Sequence, residues 1–297
     1  MSTHADREEQ QLLSRLQHVL NIGILHSRNA RDISMGRTRC SSAPRTMDDF
    51  QSVQEIPMGR THFELSRSAE ASLRAAMMSA QPLVIRSALT SGDMMALIDE
   101  WDLFMAQDKS LYQMGGGRGM QTLSTMWNSP MRLEHDLRDT STPNPVMAWL
   151  STAPQGSVAA RVWHLQQQLE GVAASRRPVL RRPAFATGLV RSDGRGIITH
   201  FDDYNNTALV LIGIKTFLIA PPDAMSWEEG PQNGNRNERL DVNPFIRGRR
   251  YPEPPLAQWQ RADLSPADVL YLPSGWWHHV VSTSHTLMTN VWTGRRT

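Results

Sequence analysis

The stretch Gly196-Ile-Ile-Thr-His-Phe-Asp-Asp-Tyr-Asn-Asn206 places His200 and Asp202 two residues apart, in a run flanked by residues that favour β-strands. Side chains at positions i and i+2 of a strand leave the same face. An imidazole and a carboxylate on one face are suited to binding a metal ion, which then needs another ligand from elsewhere in the fold. The stretch therefore predicts part of a metal centre carried by a β-strand.

The segment Trp276-Trp-His-His279 is the obvious source of the further ligand, because it follows the strand-like run 268–273. Alternation along a strand indicates that one of its two histidines points inward, without saying which. Two histidines and one carboxylate form a facial triad that leaves coordination positions open, as in non-haem Fe(II) oxygenases. A closed structural zinc site instead prefers four ligands rich in cysteine and histidine.

The composition is that of an ordinary globular protein, with 40% hydrophobic and 20% charged residues in a chain of 297. Cys40 is the only cysteine, which excludes an internal disulfide and a cysteine-based zinc site. We therefore expect an intracellular protein, cytoplasmic or, in a eukaryote, nuclear. No apolar run is long enough to cross a membrane, so we expect no membrane partner, and nothing predicts the oligomeric state.

Basic residues are almost all arginine, since Lys109 and Lys215 are the only lysines among 31 basic side chains. A lysine offers a compact, single-point cation where arginine offers a wide planar fork. Lys215 follows the predicted metal-binding stretch on a strand, so a specific role there is one interpretation, and drift is the other. The net charge of only +2 is weak support for a nucleic-acid partner.

The chain divides into an N-terminal helix with a poorly ordered segment, residues 1–50, and one domain over residues 51–297. Apolar spacing predicts helices over residues 69–78, 93–104 and 158–172, and from about residue 184 short strands predict a β-barrel or jelly roll. We expect residues 207–212 and 215–220 to form a hairpin through Gly213 and Ile214. Residues 223–262 are expected to be a long polar insertion facing the substrate.

The combination of four features resembles the JmjC-type 2-oxoglutarate oxygenases, in particular the cupin-like subgroup that contains the asparaginyl hydroxylase of hypoxia-inducible factor. These features are His200-Phe-Asp202, Lys215 at fifteen residues after His200, the run Asp268-Val-Leu-Tyr-Leu-Pro-Ser-Gly-Trp-Trp-His278, and Asn290-Val-Trp292. The resemblance is good over residues 180–297 and loose before them. It implies a double-stranded β-helix with helices packed outside, the strand core covering about residues 184–297.

The resemblance also implies a role for each of these residues. His200, Asp202 and His278 would bind Fe(II), and the choice of His278 over His279 rests on the resemblance alone. The cosubstrate 2-oxoglutarate would pair with one cation through its distal carboxylate and contact two amides. That cation is Lys215, and the amides are Asn206, in the same pocket, and Asn290, on the last strand.

Two departures from the family pattern predict a rebuilt cosubstrate pocket. Ile197 stands three residues before the metal-binding histidine, where family members often carry threonine or serine. The tyrosine that family members carry well upstream of that histidine is missing, and Trp149 is the nearest aromatic residue in the corresponding segment.

These observations lead us to expect a 2-oxoglutarate-dependent dioxygenase that hydroxylates a protein or peptide side chain and releases succinate and CO2. Hydroxylation of a tRNA base or a small amino acid is an alternative, motivated by arginine-rich segments such as residues 247–250. A catalytically inactive cupin-like binding module is another, motivated by Ile197 and the missing tyrosine. The sequence does not identify the substrate.

Overall fold

The computed structural model describes residues 50–58, 63–87, 89–113, 120–127, 133–136, 145–174, 179–187, 197–202, 204–224, 258–282 and 286–295. The expected N-terminal helix and poorly ordered segment therefore lie outside the described residues, apart from residue 50. Most of the expected polar insertion also lies outside them, and its expected end at residue 262 is wrong, because residues 260–262 belong to the strand Gln260–Leu264.

The described part of the chain contains five α-helices, one short 3-10 helix (Pro222–Ala224) and fourteen strands. The helices are α1 (Arg67–Ser79), α2 (Ser91–Gln107), α3 (Leu123–Trp127), α4 (Pro145–Thr152) and α5 (Val158–Ala174). The strands are β1 (Gln51–Ser52), β2 (Glu55–Pro57), β3 (Leu83–Arg86), β4 (Leu111–Gln113), β5 (Met120–Thr122), β6 (Leu133–Asp136), β7 (Val179–Thr187), β8 (Ile197–His200), β9 (Tyr204–Ile212), β10 (Lys215–Ala220), β11 (Gln260–Leu264), β12 (Val269–Leu272), β13 (Trp277–Ser282) and β14 (Thr286–Arg295).

Two sheets pack face to face. One has the strand order β1-β11-β10-β13-β8, and the other has the order β2-β3-β12-β9-β14-β7-β6. From β11 onward the chain alternates between the two sheets, so the fold is the predicted jelly roll with helices outside it. Strands β4 and β5 form a separate two-stranded sheet.

The predicted hairpin between residues 207–212 and 215–220 is wrong. Strand β9 pairs with β12 and β14, whereas β10 pairs with β11 and β13 in the other sheet. Every residue of β10 and most of β9 are buried, because each strand is covered on both faces. Gly213 has a φ of 78°, a conformation that glycine adopts without strain, and the chain crosses there from one sheet to the other.

Two hydrophobic cores stabilise this arrangement. The inter-sheet core lies between the two sheets and includes Val210, Phe217, Leu270 and Val280. The helix–sheet core lies on the outer face of the seven-stranded sheet, where helices α1, α2 and α5 pack. The helices predicted over residues 69–78, 93–104 and 158–172 are confirmed as α1, α2 and α5.

None of the described helices is long and apolar enough to span a bilayer.

Helix α5 begins against α2, since both carboxylate oxygens of Glu100 accept hydrogen bonds from its first turn. The backbone N–H groups of Val158 and Ala159 donate these bonds at 3.0 and 2.8 Å. A carboxylate at this position satisfies helix N–H groups that have no partner within the helix.

The buried carboxylate of Asp268 joins the start of β12 to the end of β3. It accepts hydrogen bonds from Arg86 Nη1 at 2.7 Å, from the Ser87 N–H at 2.8 Å and from the Ser265 N–H at 3.0 Å. Removing the carboxylate would leave the N–H groups and a partly buried guanidinium without this acceptor, which is costly. The first residue of the sequence run 268–278 is therefore structural.

Replacing Asp268 with alanine is expected to lower the free energy of unfolding by about 3 kcal/mol, measured by denaturant titration. Glu70→Ala is the control, because Glu70 pairs with Arg74 on the surface of α1 at 2.8 Å. That exposed pair contributes less than about 1 kcal/mol. Equal losses in the two variants would contradict a structural role for the buried carboxylate.

Candidate metal centre

The structure brings His200, Asp202 and His278 together at one end of the inter-sheet space. Strand β8 ends at His200 and lies beside β13, where His200 pairs directly with His278. Their ring centroids are 4.1 Å apart, and one ligand atom from each of the three residues lies within 4.8 Å of the others. Two imidazoles and a carboxylate at these separations fit a single divalent metal ion.

The pairing of β8 with β13 is irregular at this point. His278 pairs with His200 and Val280 pairs with Ile197, so three steps along β8 match two along β13. Such a bulge re-aims side chains and occurs often beside active sites. Ile197 therefore lies on the same strand pair as two of the candidate ligands.

His278 is held in one tautomer. Its Nδ1 lies 3.1 Å from the carbonyl oxygen of Trp276, and since a carbonyl only accepts, the proton is on Nδ1. The other ring nitrogen, Nε2, then carries a lone pair instead of a proton, and it lies 3.8 Å from Asp202 Oδ2. This is the usual arrangement of a metal-binding histidine.

Burial lowers the pKa of His278 to about 4, and the neighbouring His279 lowers it as well, against the opposing effect of the Trp276 carbonyl. The imidazole is therefore neutral at pH 7, which is the form that binds a metal. Alternation places His279 on the other face of β13, with Trp277. Trp277 belongs to a separate cluster with Phe201 and Trp259.

Asn206 and Asn290 face the inter-sheet space. Asn206 pairs with Leu272 and Asn290 pairs with Ala208, both partners belonging to the inter-sheet core. Within the described residues, the amide oxygens of both asparagines are buried and lack a hydrogen-bond partner. Buried amide oxygens of this kind are normally satisfied by ordered water or by a bound polar molecule.

Lys215 begins β10 and is 2% exposed. It shares a face with Phe217 and Ile219, and Ile219 pairs with His278. Lys215, His200 and His278 therefore lie on the inner face of one sheet, and Lys215 is four residues along β10 from Ile219, the partner of His278. Phe217 and Ile219 between them belong to the inter-sheet core.

Trp149 does not take the place of the missing tyrosine. It lies in the helix–sheet core, with its ring centroid 5.0 Å from that of Trp101. This core is on the outer face of the seven-stranded sheet, away from the inner face that carries Asn206. Trp149 is therefore not on the inner face.

Sequence reasoning overlooked Asn205, which precedes the predicted Asn206. Its side-chain oxygen accepts a hydrogen bond at 2.9 Å from the backbone N–H of Ser274. The adjacent N–H of Gly275 donates to the backbone carbonyl of Asp202 at 2.8 Å. These contacts join segments far apart in sequence, and the only local signal was an asparagine pair after the His-x-Asp motif.

Comparison with known proteins gives one family match. The family described as cupin-like domain matches residues 138–293, slightly more than half of the chain. The lysine-specific demethylase JMJ31 of Arabidopsis thaliana is 32% identical over 98 residues, which cover 32% of this chain and 18% of that protein. The chain thus spans less than a fifth of the length of this relative.

Among solved structures, E. coli ycfD is similar with a TM-score of 0.38 and 15% sequence identity. The match covers 73% of this chain and 50% of that one.

Replacing His278 with alanine is expected to abolish binding of Fe(II), because the variant loses the neutral Nε2 ligand. His279→Ala is the matched control, an adjacent and equally buried histidine on the opposite face. Its affinity should stay within about threefold of the wild type, a change below about 1 kcal/mol. Anaerobic calorimetric titration measures both, and equal losses would show that the two side chains share the site.

Proposed function

We propose that this chain, which belongs to the cupin-like domain family, is an Fe(II)- and 2-oxoglutarate-dependent oxygenase that hydroxylates a protein or peptide side chain. The observation that carries the proposal is the convergence of His200, Asp202 and His278, whose ligand atoms lie within 4.8 Å of one another. Within the described ranges these three are the only group of side chains suited to hold a metal. Three ligands leave room for a cosubstrate and O2.

With iron and 2-oxoglutarate bound, such a centre supplies oxidation of a C–H bond coupled to decarboxylation of the cosubstrate to succinate and CO2. The protein supplies the ligands, the orientation and the exclusion of water. His278 offers a neutral nitrogen because burial keeps its pKa low, and Asp202 offers the negative charge. The apolar side chains of Phe217, Ile219 and Val280 exclude water from the inner face.

The proposed partner of the cosubstrate's distal carboxylate is Lys215. A buried ammonium is stabilised by an anion, and its single-point charge suits one carboxylate at the end of a narrow space. Asn206 and Asn290 offer amide groups on the facing sheet. With Ile197 at its position and the upstream tyrosine missing, the chain lacks hydroxyl groups that family members use at these places. The two amides and Lys215 would therefore contribute more of the binding of 2-oxoglutarate.

The choice of a protein or peptide substrate rests on the resemblance to the asparaginyl hydroxylase subgroup. Lysine demethylation is the second candidate, favoured by the 32% identity to a protein named a lysine-specific demethylase. Both reactions begin with hydroxylation of a carbon, and in demethylation that carbon is an N-methyl group. The arginine-rich segment 247–250, which motivated a tRNA substrate, lies outside the described residues.

Succinate formation tests the oxygenase proposal. The iron-loaded protein is incubated with 2-oxoglutarate and a peptide library, and we expect succinate from the wild type and at least a hundredfold less from His200→Ala. Each lost factor of a hundred corresponds to about 2.7 kcal/mol of transition-state stabilisation. Absence of succinate in the wild type, despite metal binding, would instead support an inactive binding module.

Mass spectrometry of the same library identifies the reaction. Hydroxylation adds one oxygen atom to a peptide, whereas demethylation of a methyl-lysine peptide removes one methyl group and releases formaldehyde. An RNA pool and free amino acids treated in parallel test the two remaining substrate classes. Oxygen incorporation only into RNA or free amino acids would contradict the peptide substrate.

Replacing Lys215 with methionine or arginine is expected to raise the 2-oxoglutarate concentration for half-maximal turnover at least tenfold, a loss of about 1.4 kcal/mol. Methionine removes the charge, and arginine keeps it but adds a planar fork that does not fit a compact site. Affinity for Fe(II) should be nearly unchanged. Lys109→Met is the control, because Lys109 is the other lysine and is exposed.

An unaltered 2-oxoglutarate dependence in Lys215→Met would contradict the assignment of Lys215. An equal change in Lys109→Met would show that the effect comes from net charge.

A further inference from the structure

The turn between β12 and β13, residues 273–276, contacts both chain segments that carry the candidate metal ligands. The N–H of Gly275 donates to the backbone carbonyl of Asp202 at 2.8 Å. The N–H of Ser274 donates to the side-chain oxygen of Asn205 at 2.9 Å. The turn is thus held on one side by the stretch that runs from Asp202 into β9.

The other side of the turn leads into His278. The carbonyl oxygen of Trp276, the last residue of the turn, accepts the hydrogen bond from His278 Nδ1 at 3.1 Å. The indole N–H of Trp276 donates to the carbonyl of Ala80, which ends helix α1, at 3.1 Å. The position of the turn therefore determines where the Trp276 carbonyl lies, and this carbonyl orients His278.

The backbone of the turn needs this support. Gly275 has a φ of 81°, a left-handed conformation that glycine adopts readily because it lacks a Cβ atom, and the same lack leaves its backbone more freedom than that of other residues. The turn also connects a strand of the seven-stranded sheet to one of the five-stranded sheet. Its position is thus fixed by tertiary contacts, among them the side-chain contact from Asn205.

Asn205 itself does not face the inter-sheet space. Asn206 faces it, and neighbouring residues on a strand point to opposite faces. Asn205 pairs with Thr293 of β14, and its amide is directed to the turn instead. It can therefore influence the metal centre only through the backbone that it holds.

We propose that Asn205 is a positioning residue for the metal centre. By accepting from Ser274 it fixes the turn in which the N–H of Gly275 holds Asp202 and the carbonyl of Trp276 orients His278. The metal affinity of the protein then depends on a side chain that never touches the metal. The inference rests on the proposed function, because the metal site is the one that the proposed oxygenase uses.

A merely structural role for Asn205 makes a different prediction. A lost hydrogen bond between a side chain and the backbone then lowers the free energy of unfolding and leaves the metal affinity of the folded protein unchanged. A positioning role lowers metal affinity in protein that is folded. The two roles are separated by measuring both quantities on the same variants.

The chain offers a matched control in Gln168. Its side-chain oxygen also accepts from a backbone N–H far away in sequence, that of Leu65, at 2.9 Å, and the bond is also partly buried. Gln168 lies on α5, whose contacts are with the seven-stranded sheet and other helices. Gln168→Leu therefore removes the same kind of bond, together with a 3.2 Å side-chain contact to His164 on the same helix, at a place remote from the metal centre.

Each purified protein is titrated with Mn(II) in the absence of 2-oxoglutarate, and the concentration of free Mn(II) is measured by electron paramagnetic resonance. We expect the dissociation constant of Asn205→Leu to rise tenfold or more, the range found when groups that support metal ligands are lost. Asn205→Asp, which keeps an acceptor oxygen, should stay within threefold of the wild type. Gln168→Leu should lower only the free energy of unfolding.

A dissociation constant of Asn205→Leu within threefold of the wild type would overturn the proposal. If that variant does not fold, Asn205→Ala is measured in its place. Failure of both to fold would also overturn it, because the residue would then serve the whole fold.

Failure of the proposed function is recognised separately. Unchanged Mn(II) binding by His200→Ala would contradict the assignment of the metal site, and with it the role proposed for Asn205. Mn(II) binding that depends on His200 and Asn205, in a protein that forms no succinate, would reject the oxygenase and support the positioning role.

Discussion

The register between β8 and β13 is the constraint on which the candidate centre depends. It sets His278 opposite His200, so that two imidazoles approach each other on the inner face of one sheet. A shift of one residue would exchange the two faces of β13, bringing His279 inward and turning His278 out. The position of β13 is fixed on its other edge by β10, with which it pairs over six residues.

Burial then determines the chemistry available at that position. His278 is enclosed by two sheets, so its charged form is disfavoured and its pKa falls to about 4. The carbonyl of Trp276 directs the remaining lone pair toward Asp202. The same enclosure that stabilises the inter-sheet core thus prepares a neutral ligand, and one packing arrangement serves both the fold and the site.

The sequence predicted what depends on local spacing. Helix α5 was predicted from its apolar stripe. His200 and Asp202 were predicted from the two-residue period of a strand, but β8 ends at His200 and Asp202 follows it, so the period does not account for their proximity. Strand pairing was not predictable in this way: β9 and β10 are both buried throughout most of their length, so neither has the polar and apolar alternation that would identify its partner. Asn205 was overlooked because its partner, Ser274, is 69 residues away.

The end of β10 and the start of β11 lie side by side in the five-stranded sheet, and this affects how strongly the length of the chain between them is constrained. Ile219 near the end of β10 pairs with Gln260 at the start of β11, so the segment that joins these strands starts and finishes at neighbouring points. Doubling the length of a flexible connection between such fixed ends costs only about 0.6 kcal/mol in closure entropy. Closure entropy therefore places only a weak limit on the number of residues that join the end of β10 to the start of β11.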